Sequence, residues 1–183
     1  MTTHYKNPRI YIIVTYIVFW LGIFLTGGIY LLSKNDVVMT LGPILLSWVP
    51  TIVVLIFFNK LVPNANRTNW IKEAFTSKIK TGMVAAVTLA FTLSVVFTYI
   101  IMLHRSSDVS IIDFKSLSIS SITLTVFNGI ITGATGEELG WRGYLQRYFE
   151  ENSNGNVIKS SLKVSLVWSF WHTPLWFVSS AGQ

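Results

Sequence analysis

Apolar residues run in five long stretches parted by short polar segments, and this alternation predicts helices that cross a bilayer. Arg9 to Leu32 is long enough to span, since a membrane helix needs about 20 apolar residues at 1.5 Å each. No small-residue cleavage site interrupts it, so it reads as an anchor helix and not as a cleaved signal. Val37 to Phe58 is a second span, broken by Pro43 and Pro50, which membrane helices tolerate where neighbours satisfy the freed carbonyls. Thr81 to Leu103 is a third and carries no charge. Leu117 to Phe149 would measure roughly 50 Å as one continuous helix, too long for a simple span. Gly129, Gly133 and Gly136 therefore predict a kink or break, with a fourth span ending near a pair of glutamates. Val157 to about Ser180 is the fifth. The expected fold class is all-α, a polytopic transmembrane helix bundle of about five spans. It reads as one membrane domain over residues 1–183, with N-terminal helices at 9–103 and a core at 117–183.

The polar segments between these runs set the orientation. Ser33-Lys34-Asn35-Asp36 is a short turn, and Glu150 to Asn156 is a second, rich in turn residues. Asn59 to Lys80 sets Lys60, Arg67, Lys72, Lys78 and Lys80 against Glu73 alone, which marks a cytoplasmic loop. Most of it reads as a solvated connector; the part around Trp70 to Ile79 also fits an amphipathic helix on the membrane face. The sequon Asn66-Arg67-Thr68 then faces the wrong side for glycosylation. Eleven cations (Lys6, Arg9, those five, Arg142, Arg147, Lys159 and Lys163) fall on one side, against Lys34, Arg105 and Lys115 on the other. By the positive-inside rule the N-terminus of this multi-pass cell-membrane protein is cytoplasmic.

Composition agrees. The chain is 51% hydrophobic and only 12% charged, against roughly 25% charged in an average soluble domain, and its mean hydropathy is +0.55. Its net charge of +6 is explained by the loop cations; no basic stripe with interleaved aromatics points to nucleic acid. The absence of cysteine excludes disulfides, thiolate-bound zinc and thiol catalysis.

Chemistry concentrates in Gly136-Glu137-Glu138-Leu139-Gly140-Trp141-Arg142-Gly143-Tyr144. A charge at a bilayer centre costs about 2.5–3.5 kcal/mol on insertion scales, so three together need partners or a function. On a helix Glu138 and Arg142 face one another four residues apart, while Glu137 points about 100° away over Trp141 and Tyr144. One carboxylate is thus neutralised and the other left free to take a proton from water. Thr135-x-x-Glu138 equally reads as a capping box opening a short helix, with Glu138 and Arg142 as a surface pair. His172 sits in the middle of the fifth apolar run, where imidazole is rarely idle. It shares a helical face with Ser165, Trp168 and Ser169, although a lone histidine among aromatics also serves as a packing residue. The two serines are poorly placed as nucleophiles for a histidine on their own helix, and they read as caps on backbone carbonyls. His4 and His104 lie near span ends and take no assigned role. No HExxH helix, GxSxG elbow or P-loop occurs.

Glu137-Glu138-Leu139-Gly140-Trp141-Arg142-Gly143-Tyr144-Leu145 and Ser165 to Pro174 strongly resemble the CPBP intramembrane proteases, the family of the type II CAAX prenyl endopeptidases and of bacteriocin-processing and immunity-associated membrane proteins. The first stretch is similar to the family's EExxxR motif and the second to its FxxxH motif, with Trp168 in place of Phe, an exchange expected to preserve a packing role. The resemblance implies an intramembrane endopeptidase that uses a glutamate-activated water on a membrane-associated peptide or CAAX-like protein. It implies Glu137 as general base, Glu138 as supporting carboxylate and Arg142 as the group fixing the pair. It implies that His172 binds a metal or the oxyanion; His172 and Glu137 are then the candidate ligands of a divalent metal such as zinc, and no other cofactor is expected. The partners it implies are a peptide or protein substrate and the lipid bilayer. The family's third motif, a helix with a second His and an Asn or Asp four residues on, has no counterpart here, so the catalytic set is expected to be incomplete at the C-terminus. The rival expectation is a non-catalytic bacteriocin-immunity or membrane partner-binding protein. A proton-relay transporter is weaker, because intramembrane charges do not recur along the other helices.

Overall fold

A computed structural model describes residues 4–76, 81–105 and 118–180, and these are helical with no strand among them. The chain runs through α1 (Pro8–Ser33), α2 (Asp36–Leu46), α3 (Val49–Ile56), α4 (Phe58–Leu61), α5 (Arg67–Thr76), α6 (Thr81–Arg105) and α7 (Ile119–Gly129). It then winds as π-helix over Ile130–Glu137 and Leu139–Gln146, and ends with α8 (Arg147–Glu151), α9 (Val157–Trp171) and α10 (Thr173–Ser180). Two compact units result, residues 1–74 with 125–183 and residues 75–124.

Among the described residues two helices, α1 and the Val84–Ile101 window of α6, are long and apolar enough to cross a membrane. The broken pair α2 and α3, bent by 42°, makes a third if it is one span. The first three expected stretches are therefore present as helices. Pro43 lies inside α2 and Pro50 in the first turn of α3, so the bend falls between the two prolines. The expected fourth and fifth stretches are divided: the fourth by its change of winding, the fifth at His172, with Pro174 in the first turn of α10. Leu117, the expected start of the fourth, lies outside the described residues. The glycines there do not break the helix; its winding changes while the backbone continues through Glu138 in α conformation.

In the larger unit α1 turns one stripe inward. Tyr11, Thr15, Phe19, Ile23 and Gly27, each four residues from the last, are its buried positions, the spacing that stacks side chains along one helix face. They meet the buried faces of α3 (Val53, Val54), the π-helical segment (Trp141, Tyr144) and α9 (Val164, Trp171). An aromatic column fills the centre: Tyr144 to Tyr11 at 4.9 Å, Tyr11 to Trp141 at 5.6 Å, Trp141 to Trp171 at 5.5 Å and Trp171 to Phe19 at 3.8 Å between ring centroids. Tyr16 and Trp20, one turn apart on α1, donate to the carbonyls of Val167 (2.6 Å) and Trp171 (3.1 Å). Those bonds satisfy carbonyls near the C-terminal end of α9, where a helix runs out of its own donors.

The segment before α1 is a strap. Lys6 N–H donates to Leu61 O at 2.8 Å and Asn7 Nδ2 to Lys60 O at 2.9 Å, while the Tyr144 hydroxyl donates to Lys6 O. Glu151 closes it, accepting from Tyr5 N–H at 3.0 Å and pairing with His4 Nδ1 at 2.6 Å. The His4 hydrogen bond, with the Tyr5 amide second, holds the Glu151 carboxyl below its ordinary range. His4 is thus part of a contact the sequence did not suggest. The basic segment is also more ordered than a solvated connector: α5 is capped by Asn66, and Trp70 is buried against Phe58 at 5.4 Å. Residues 77–79 of the expected amphipathic helix lie outside the described residues.

Candidate active site

The glycines flanking the glutamate pair let other elements come close. A Cβ on Gly136 would lie 3.1 Å from Ser47 O and Ser47 Oγ, and one on Gly140 would lie 2.6 Å from the carbonyl carbon and Cβ of Pro50 and against the Tyr11 hydroxyl. The segment carrying Glu137 and Glu138 is thereby seated on the α2–α3 bend and on α1.

From that seat the two carboxylates diverge. Glu138 pairs with Arg142, four residues on, as the spacing predicts. The guanidinium side chain is 69% exposed and the glutamate 34%, so the pair orients more than it stabilises. The capping-box alternative does not hold: Thr135 lies within a helix, and its hydroxyl donates back to the Ile130 and Ile131 carbonyls, both at 2.9 Å.

Glu137 faces α9. Its Oε2 accepts the indole N–H of Trp168 at 2.7 Å, which fixes one carboxylate oxygen and leaves Oε1. The Trp141 Nε1 lies beside the same carboxylate without reaching hydrogen-bond geometry. Trp168 also packs against His172, with ring centroids 4.1 Å apart and the planes tilted by 59°, and Trp171 meets the imidazole edge-on at 4.6 Å. His172 Nδ1 lies 2.9 Å from Trp168 O. A carbonyl only accepts, so that bond places a proton on Nδ1 and leaves Nε2 as the second ring nitrogen available for hydrogen bonding.

Glu137 and His172 line one cavity of about 400 Å³, together with Phe19, Ser47, Asn128 and Thr132. A second cavity of similar size, about 400 Å³, lies on the Glu138, Arg142 and Trp168 side and shares Glu137 with the first. The fold thus brings together Glu137 and His172, and keeps Glu138 and Arg142 in the neighbouring cavity. Ser165 faces that second cavity, and its hydroxyl donates to Ser161 O at 2.8 Å, the carbonyl-capping role expected of it.

A catalytic zinc takes about three protein ligands plus water. Among the described residues no group of three or more His, Cys, Asp or Glu is placed to hold a metal ion. Glu137 and His172 supply two donors, short of such a set.

Residues 119–182 match the family model described as Type II CAAX prenyl endopeptidase Rce1-like. Over that segment the chain is similar to these endopeptidases. Across 195 aligned residues, covering all of this chain and 68% of the other, it is 29% identical to CAAX prenyl protease 2 of Methanococcus maripaludis. No solved structure matches. The Rce1-like segment contains both motifs, from Glu137 to His172.

Sequence reasoning gave Trp168 only a packing role, yet its indole holds Glu137. The signal was present in the substitution of Trp for Phe within the second motif, because Trp adds an N–H donor to an aromatic of similar packing use.

Proposed function

We propose that this chain is a multi-pass membrane endopeptidase, its N-terminus in the cytoplasm, that hydrolyses a peptide bond of a membrane-associated substrate of the CAAX type. The observation that carries the reading is the shared cavity of Glu137 and His172, with one oxygen of Glu137 tied to Trp168. In the proposed reaction a water lies between Glu137 Oε1 and His172 Nε2, both acceptors of its protons. Glu137 takes one proton as the water oxygen bonds to the scissile carbonyl carbon. The tetrahedral intermediate collapses with cleavage of the C–N bond, and Glu137 passes the proton to the leaving amine. Glu138 and Arg142 hold the segment that presents Glu137. The count of cations on the two sides supports the orientation.

Glu137→Gln keeps the shape and removes the base. With a fluorogenic peptide carrying a prenylated cysteine followed by three residues, cleavage by the full chain falls by about 10²–10⁴-fold, the range for loss of a general base. Membrane insertion and thermal unfolding stay as in the wild type. Cleavage at the wild-type rate by that variant would refute the assignment.

A further inference from the structure

Along α1 the residues Arg9, Ile12, Ile13, Tyr16, Ile17 and Trp20 recur at steps of three and four, so they share one face of the helix. The last five line an apolar groove of about 280 Å³. Its two aromatic walls are held in place. Tyr16 and Trp20 lie 5.7 Å apart between ring centroids, and both spend their polar atoms on α9, the hydroxyl on Val167 O and the indole N–H on Trp171 O. What they turn to the groove is ring carbon.

The head of this stripe is cationic. Arg9 is exposed in the first turn of α1, one turn before Ile12 and Ile13, where the positive end of the helix dipole adds to its charge. Two further cations stand at the same end. Lys6 is exposed in the strap, and the Asn7 carboxamide ties that strap to the carbonyl of exposed Lys60 at 2.9 Å. From Arg9 to Trp20 the helix rises about 16 Å, and half of a bilayer's hydrocarbon core is about 15 Å. The face thus carries positive charge at headgroup level and, below it, a groove reaching as deep as one leaflet. A prenyl chain or a second protein surface would fill the groove without any use for Arg9. A lipid with an anionic headgroup uses both.

We infer that this face of α1 binds an anionic phospholipid, its phosphate against Arg9 and one acyl chain along the groove to Trp20. The site is separate from the protease chemistry, so Glu137→Gln should bind the lipid as the wild type does. The full chain, reconstituted in vesicles of phosphatidylcholine and phosphatidylglycerol with bromine on the acyl chains of one lipid or the other, reports contact through quenching of tryptophan fluorescence. Trp20→Phe gives the share that belongs to Trp20, and total quenching in wild type and Arg9→Gln makes the same comparison without that variant. A cation at an anionic surface is worth about a fivefold preference. The wild type is expected to favour phosphatidylglycerol over phosphatidylcholine at Trp20 about fivefold or more. Arg9→Gln should lower that preference about fivefold, Arg9→Lys should keep most of it, and Lys34→Gln, at the other end of α1, should leave it unchanged. Equal quenching by the two lipids in the wild type overturns the inference, as does an undiminished preference in Arg9→Gln or an equal loss in Arg9→Lys. Absence of quenching at Trp20 by either lipid overturns it in favour of a protein surface over the groove. Displacement of the brominated lipid by the prenylated peptide overturns it in favour of the substrate's own chain.

Discussion

Gly140→Ala is the sharpest test of how the Glu137 segment is seated. The added Cβ would lie 2.6 Å from the carbonyl carbon and Cβ of Pro50, and ordinary van der Waals contact begins at 3.4 Å. The two elements must therefore separate by about 0.8 Å, because backbone cannot swing aside as a side-chain tip can. Overpacking of this kind costs about 1–3 kcal/mol, and the upper half of that range applies where the obstruction is main chain. Replacing glycine by alanine in a helix returns up to about 1 kcal/mol. The net expectation is a loss of about 2 kcal/mol, or about 4–8 °C in Tm for a chain of this size. Two other glycines serve as controls. A Cβ on Gly143 would meet the Trp70 ring at 3.3 Å, a contact a small ring shift relieves, and one on Gly129 would meet nothing within 4 Å. Thermal unfolding in detergent should rank Gly129→Ala most stable, at or above the wild type, Gly143→Ala next and Gly140→Ala last. A Gly140→Ala protein as stable as Gly129→Ala would mean that α3 does not approach the glutamate segment as closely as described here.

Two further predictions concern named contacts. Trp168→Phe keeps the ring on His172 and deletes the N–H that holds Glu137 Oε2. A hydrogen bond to a charged group is worth about 1.5–3 kcal/mol, so kcat should fall about 10–100-fold with Tm nearly unchanged; unaltered kcat would show that the bond does not position Glu137. The strap contact of Glu151 is acid-sensitive. Its carboxyl titrates below the ordinary 4.5 in the folded chain, so the contribution is fully present above that value and fades as pH falls through the lowered one. Proteolysis at residues 4–7 should quicken in that acid window in the wild type, and Glu151→Gln should cleave at a rate that no longer changes there.

Much of the site could be read from residue spacing. The Glu138–Arg142 pair follows from a four-residue step that holds in the folded chain, and His172 stood out because imidazole is conspicuous in an apolar run. Asn128 carried no such signal. An asparagine nine residues before Glu137 falls on the far side of an ideal α-helix, so no α-periodic reading joins the two. Trp168 looked like packing for the related reason that an indole is apolar in hydropathy and polar only at one atom.

By itself the sequence determined that the chain is helical and belongs in a membrane, and it located the two motifs, because apolar run lengths and the rarity of charge within them are properties of composition along a line. Which way each helix faces was decided by tertiary structure alone. Tyr11, Thr15, Phe19, Ile23 and Gly27 face inward on α1 while Ile13, Ile17 and Leu21 are exposed, and hydropathy does not separate the two sets, since lipid is as apolar as the core. The π-helical winding was likewise legible only in the fold. It appears where Gly136 and Gly140 press against Ser47 and Pro50, and it is this winding that turns Asn128, Thr132 and Glu137 toward the cavity they share with His172.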